Sequence, residues 1–166
     1  MPKRSARAGP AAKAVDIFTP AMQLTRFTDF GLRVLMYLTQ CRDREKTVTI
    51  PEIAERFAIS RNHLVKVVHF MSQQGWVAAT RGKGGGLALA RPAASYRLGD
   101  LLRVLEHQGS LVDCAEPPCA LQGVCRLAGV LNDSLRGFYD SLNQHSLAEL
   151  VGLPTSEALI RLHRAA

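Results

Sequence analysis

The 166-residue sequence predicts a mostly α fold in which three helices and a small β-hairpin are followed by a long helix. Three observations carry this. Apolar residues recur at helical spacing through most of the chain, a single glycine-rich stretch interrupts them, and positive charge is concentrated before residue 98. Residues 22–97 hold twelve Lys and Arg against five Asp and Glu, whereas residues 98–166 hold five against eight. A basic module joined to a mildly acidic one suits polyanion binding in the first and a different task in the second.

The opening 21 residues are rich in Ala, Pro and basic side chains and show no periodicity, so they are expected to form a basic flexible extension. From Phe27 to Cys41 the residues Phe27, Phe30, Val34, Leu35, Tyr37 and Leu38 trace one helical face. In TIPEIAERFAI, Thr49 and Glu52 form a capping-box pattern around Pro51, which predicts a short second helix. Ser60 is placed to cap a third helix that runs to Gly75, with Leu64, Val67, Val68 and Met71 on its inner face. Trp76–Thr80 and Leu87–Ala90 are short β-like runs joined by RGKGGG. Helix, helix, helix and hairpin, in that order, is the plan of a winged helix-turn-helix over residues 22–97.

Beyond it, Tyr96–His107 predicts a helix with Leu98, Leu101, Leu102 and Leu105 in one stripe. Residues 108–124 form a loop containing Pro117 and Pro118. Cys125–Leu147 then predicts a long helix with Leu127, Leu131, Leu135, Phe138 and Leu142 along one side, suited to dimerisation. The region 98–151 thus combines a cysteine loop with a dimerisation helix, and residues 152–166 are expected as a C-terminal tail.

In a helix-turn-helix the second helix of the motif enters the major groove of double-stranded DNA with its N-terminal residues facing base edges. Those residues are Ser60, Arg61, Asn62 and His63, with Lys66 one turn on. Arg can fork onto guanine and Asn onto adenine, while Ser and Lys suit phosphate. Arg81, Lys83, Gly84 and Gly85 in the hairpin turn would track the phosphate backbone, because glycine allows close approach. Either element alone describes an ordinary polar surface; in this order and on the basic side they point to DNA.

Cys114, Cys119 and Cys125 are spaced C-x4-C-x5-C. No apolar stretch is long enough to span a membrane, and the basic N-terminus lacks the apolar core of a secretory signal. The expected location is the cytoplasm, where thiols stay reduced and a cysteine cluster binds metal or senses redox state. Structural zinc takes four ligands in closely spaced pairs, and a disulfide switch leaves one cysteine over. An iron–sulfur cluster, held mainly by thiolates, suits the wide spacing best, with redox thiols and zinc as alternatives. Cys41 reads as a half-buried thiol rather than a fourth ligand. Asp29 reads as a first-turn carboxylate favoured by the helix dipole. No Ser/His/Asp order, phosphate loop or dinucleotide fingerprint is present, so an enzyme is not expected. An iron–sulfur electron carrier is the alternative of another class.

MQLTRFTDFGLRVLMYL (22–38), SRNHLVKVV (60–68), RGKGGGLALARP (81–92) and the cysteine loop together resemble the Rrf family of winged-helix iron–sulfur regulators, and within it the nitric-oxide-sensitive repressors. The likeness runs from Met22 to about Val151. It implies a homodimer on a palindromic operator, with nitric oxide as the signal. It also implies a 4Fe–4S cluster held by Cys114, Cys119 and Cys125 together with Asp29 of the partner subunit. A sister branch holds a 2Fe–2S cluster with a histidine three residues after the last cysteine; that position here is Ala128. Relatives that sense iron supply or thiol oxidation are the alternative within the family.

Overall fold

The computed structural model describes residues 23–41, 47–80, 82, 84–107 and 109–164; the extension 1–21 lies outside them. Helix α1 (Arg26–Thr39) begins where Thr25 accepts the Thr28 N–H at 3.2 Å, satisfying one of the first-turn donors. Its buried residues include Val34, Leu35, Tyr37 and Leu38, close to the predicted face. Helix α2 (Ile50–Arg56) starts with Thr49 accepting the Glu52 N–H and with Pro51 in the first turn. Helix α3 (Arg61–Gln73) buries Leu64, Val67, Val68 and Met71, the four predicted residues. Ser60 occupies the N-cap position, yet its side chain makes no capping bond; only its carbonyl takes part, accepting from His63 and Leu64.

Strands β1 (Val77–Ala79) and β2 (Leu87–Leu89) pair antiparallel, with Val77 opposite Leu89 and Ala79 opposite Leu87. Val48 bridges the other side of β2, receiving the Leu87 N–H at 2.8 Å. A 3-10 turn at Ala93–Ser95 leads to Tyr96, which is 2% exposed. The Tyr96 hydroxyl donates to the Trp76 carbonyl at 2.9 Å and accepts the Arg91 N–H at 3.0 Å, so it fastens both ends of the hairpin. Both capacities of this buried phenol are thereby met.

Helix α4 (Leu98–Glu106) follows, and α5 (Arg126–Leu142) packs against it after the loop. The long helix expected to reach Leu147 stops at Leu142. Asn143, its C-cap, turns its side chain to α4, where it meets both the backbone N–H and the carboxylate of Asp100 at 2.9 Å. Ser146 then opens the short helix α6 (Leu147–Leu150) through a reciprocal capping box with Glu149. Residues 96–98 and 145–147 lie side by side, joined by Leu98 N–H to His145 O and Leu147 N–H to Tyr96 O, each 3.0 Å. Residues 155–164, within the stretch expected as a tail, form helix α7 (Thr155–Arg164), whose Leu159 is buried.

One hydrophobic core runs through the described residues. It takes Val34, Leu35 and Leu38 from α1, Ile53 from α2, α3's inner face, Trp76 and Leu87 from the hairpin, and Leu101, Leu105, Leu147 and Leu159 from later helices. Within α5 only Tyr139 is buried, whereas Leu127 is 64% and Phe138 48% exposed.

Helices α4 and α5 meet at Gly99, where an added Cβ would collide with the Tyr139 carbonyl and lie 2.6 Å from the Asn143 side-chain oxygen. Backbone cannot yield as a side-chain tip can. Gly99→Ala is therefore expected to destabilise the fold by about 2–3 kcal/mol through overpacking, read as a lowered urea unfolding midpoint with an unchanged denaturant slope.

Candidate functional site

The turn between α2 and α3 sets the direction of the third helix. Ala58 adopts a left-handed conformation (φ 51°), and Ile59 returns its N–H to Ala54 at 2.9 Å while burying its side chain. The inner face of α3 is thereby held in the core, and Ser60, Arg61, Asn62, His63 and Lys66 are all exposed. They lie together at the N-terminal end of the helix, as the sequence predicts. His63 leans toward α1, its ring 6.1 Å from that of Phe30. Two residues on the outward face were missed: Val65, 47% exposed, and His69. They follow Arg61 by four and eight positions, so helical periodicity alone could have found them.

The hairpin turn is built from glycines for two different reasons. Gly84 takes a positive φ of 84°, a conformation that costs other residues about 1–2 kcal/mol. Gly86 lies against the segment before α2: a Cβ there would approach the Thr47 Cβ to 2.5 Å and the Val48 carbonyl to 2.7 Å. Gly85 accepts the Thr47 hydroxyl at 2.9 Å and is half-buried, while Gly84 is exposed. Arg81 and Lys83 lie outside the described residues.

The cysteine loop closes between α4 and α5. Helix α4 ends at His107 in a left-handed conformation, and Cys125 occupies the N-cap position of α5. Ser110 ties the loop to α5 by donating to Asn132 at 3.0 Å. Asp113 accepts the N–H groups of Ala115 and Glu116, and the Cys119 N–H reaches the Cys114 carbonyl at 3.0 Å. Cys114 and Cys125 are half-buried and share the wall of a cavity of about 320 Å³ with Ser110, Asn132 and Ala128. Cys119 is exposed.

The Cys114 thiol is shifted by its surroundings. Desolvation pushes the Cys114 thiol above its ordinary range, and the neighbouring Cys119, Cys125 and Asp113 push it further in the same direction. Three soft donors whose ionised forms repel are relieved by a positively charged soft metal centre, so the donor set fits iron–sulfur ligation in kind. Among the described residues no three His, Cys, Asp or Glu side chains form a group able to hold a metal ion, so the three cysteines do not converge on a single ion and Asp29 does not join them in its own chain. Its carboxylate, in the first turn of α1, accepts from Arg33 Nε at 2.9 Å, with both side chains more than two-fifths exposed.

A capped helix-turn-helix with an exposed polar helix face and a glycine hairpin docked beside it defines a winged-helix transcription regulator. The chain belongs to the Rrf2 family, described as iron-dependent transcriptional regulators, whose family model matches residues 24–152. Members of this family are DNA-binding transcription regulators and not enzymes. Among solved structures the chain is similar to CymR (YrzC), the global cysteine regulator of B. subtilis, at 22% identity, with a TM-score of 0.63 over 78% of this chain and 95% of that one. It is also similar to IscR of T. potens, at 23% identity and a TM-score of 0.63, covering 78% and 86% of the two chains. The oxidised form of Staphylococcus aureus CymR matches at 23% identity and a TM-score of 0.60, covering 78% and 95%. These three likenesses establish the fold. No described helix is long and apolar enough to cross a membrane.

The contact of Gly86 with Thr47 and Val48 yields a specific expectation. Gly86→Ala must displace the Leu87–Val48 bond at the base of the hairpin. We expect a loss of about 1–3 kcal/mol, measured by urea unfolding, and faster amide exchange at Leu87 than at core amides of α1.

Proposed function

We propose that the chain is a nitric-oxide-responsive repressor of the NsrR type. It acts as a homodimer on a palindromic DNA operator and holds an iron–sulfur cluster, 4Fe–4S, through Cys114, Cys119 and Cys125 with Asp29 of the partner subunit. The observation that carries this reading is that three free thiols share one loop, with Cys114 and Cys125 on a cavity wall at the start of α5 and Cys119 near enough to raise the Cys114 thiol further. Ala128 supports 4Fe–4S over the 2Fe–2S alternative. It lines that cavity at the position where the sister branch has its histidine, and it has no donor to offer.

Asp29 is suited to an intersubunit role because its present partner holds it weakly. An exposed pair of this kind contributes about 0–1 kcal/mol, so little opposes its transfer from Arg33 to a stronger ligand. The uncovered Leu127, Val130 and Phe138 of α5 supply the apolar face that a second copy would bury. When bound, the cluster would supply iron able to react with nitric oxide. The protein's part is mechanical. The loop is tied to α5 through Ser110 and Asn132, α5 is locked to α4 at Gly99, and α4 shares the core with α1 and α3. Loop release therefore alters how two copies meet and hence the spacing of their α3 helices. Adjacent major grooves require about 34–36 Å between recognition elements, so a shift of a few ångströms is enough to lose one half-site.

A second reading, a thiol-oxidation regulator of the same family, is favoured by the closeness of Cys114 and Cys119, whose backbones are joined by the Cys119 N–H to Cys114 carbonyl bond at 3.0 Å. Anaerobic purification with iron and sulfide analysis separates the two. A brown protein with about four irons per chain is expected; a colourless one whose operator binding changes only on oxidation establishes the second reading.

Operator gel shifts with loaded protein should show binding lost after stoichiometric nitric oxide, and unchanged affinity would refute the sensor mechanism. In the same assay Arg61→Ala is expected to cost about 1–3 kcal/mol and relax base preference. Lys66→Ala should weaken binding evenly across sequences and lower the slope of log K against log salt by about 1.

A further inference from the structure

The fourth cysteine has a partner that its sequence position does not disclose. Cys41 follows α1, is half-buried, and lines a cavity of about 370 Å³ together with Leu38, Thr47, Val48, Leu89 and Arg91. His163, 122 positions away on α7, brings Nε2 to 3.4 Å and Nδ1 to 3.6 Å from the Cys41 sulfur. The imidazole is oriented by stacking on Tyr37, with ring centroids 4.0 Å apart and planes 25° from parallel. Tyr37 is itself fixed by donating its hydroxyl to Glu52 at 2.7 Å. At rest the Cys41 thiol donates to the Tyr37 carbonyl at 3.0 Å, with the imidazole on its other side. A nucleophile, a base within hydrogen-bond reach and a third group orienting the base form the arrangement that activates a thiol.

We propose that Cys41 and His163 form a second reactive-thiol site, separate from the cysteine loop, that takes a small carboxylate-bearing disulfide and becomes a mixed disulfide. The cavity gives such a molecule room beside the sulfur, and Arg91 on its wall supplies a cation for the carboxylate. In the reaction the Cys41 proton turns from the Tyr37 carbonyl to His163, which takes it, and the thiolate attacks one sulfur of the disulfide. The Cys41–sulfur bond forms as the old sulfur–sulfur bond breaks, and the departing thiolate takes the proton back from the imidazolium. Cys41 is oxidised to the disulfide level and the released sulfur is reduced to a thiol, so electrons and protons balance. The adduct lies against Val48 and β2, where the Val48–Leu87 bond docks the hairpin.

The test uses the full chain with glutathione disulfide and peptide mass mapping, which reads all four cysteines separately. Cys41 should acquire a glutathione adduct that a thiol reductant removes, and Cys41→Ser should abolish it. At near-neutral pH the rate at Cys41 should fall roughly tenfold in His163→Gln while rates at the loop cysteines stay unchanged. The ratio of wild-type to His163→Gln rates should shrink toward one at alkaline pH, where the thiol ionises without help. A change of access caused by loosening α7 would alter the rate by the same factor at every pH. The proposal is overturned if exposed Cys119 reacts while Cys41 does not, if His163→Gln leaves the Cys41 rate unchanged, or if the ratio is independent of pH.

Discussion

Tyr96 is the point at which the first and second parts of the chain are tied together. Its hydroxyl holds both ends of the hairpin, its carbonyl accepts the N–H that opens α6, and its ring carries the Arg91 guanidinium 4.7 Å from its centre. The hydroxyl is buried, so removing either partner would leave an unsatisfied polar group at a cost of about 1–3 kcal/mol. The hairpin therefore cannot swing independently of residues 145–147. What happens at the end of α5 is felt at the hairpin through one side chain and two backbone bonds, with no need for a longer route.

The early part of the fold was legible because its signals are local. Thr49, Pro51 and the inner residues of α3 act within a turn or two of themselves, and the structure follows them within a residue or so. The errors fall where a distant contact decides. The apolar period of α5 continues toward Leu147, but the helix ends at Asn143, whose side chain bonds Asp100, 43 positions away. The capping box at Ser146 and Glu149 is a local signal for a new helix start, but it lies inside the apolar period that predicts one continuous helix. Ser60 shows the opposite failure: a residue of the right type at the right position whose hydroxyl takes no part in the cap.

The candidate site divides along the same line. Which residues belong to the α3 surface and to the cysteine loop could be read from spacing, because both are continuous in sequence. The unequal roles of the cysteines could not. Cys114 and Cys125 face a common cavity while Cys119 stands outside it, a result of how the loop folds back on α5. Nor could the sequence show that Arg33 already occupies the Asp29 carboxylate, or that His163 reaches Cys41 from the far end of the chain. Pairings between distant residues leave no periodic trace.

The close seat of α4 on α5 at Gly99 also bears on how such a chain can diversify. The loop from His107 to Cys125 is an excursion between two helices that touch directly at Gly99, independently of any loop side chain. Its closure entropy grows slowly with length, about 0.6 kcal/mol for each doubling. Insertions, deletions and new donor residues can therefore accumulate there without disturbing the packing of α1, α2 and α3. The architecture separates a loop that is free to vary from a helix-turn-helix that is constrained, so a lineage can change the chemistry of the one while keeping the shape of the other.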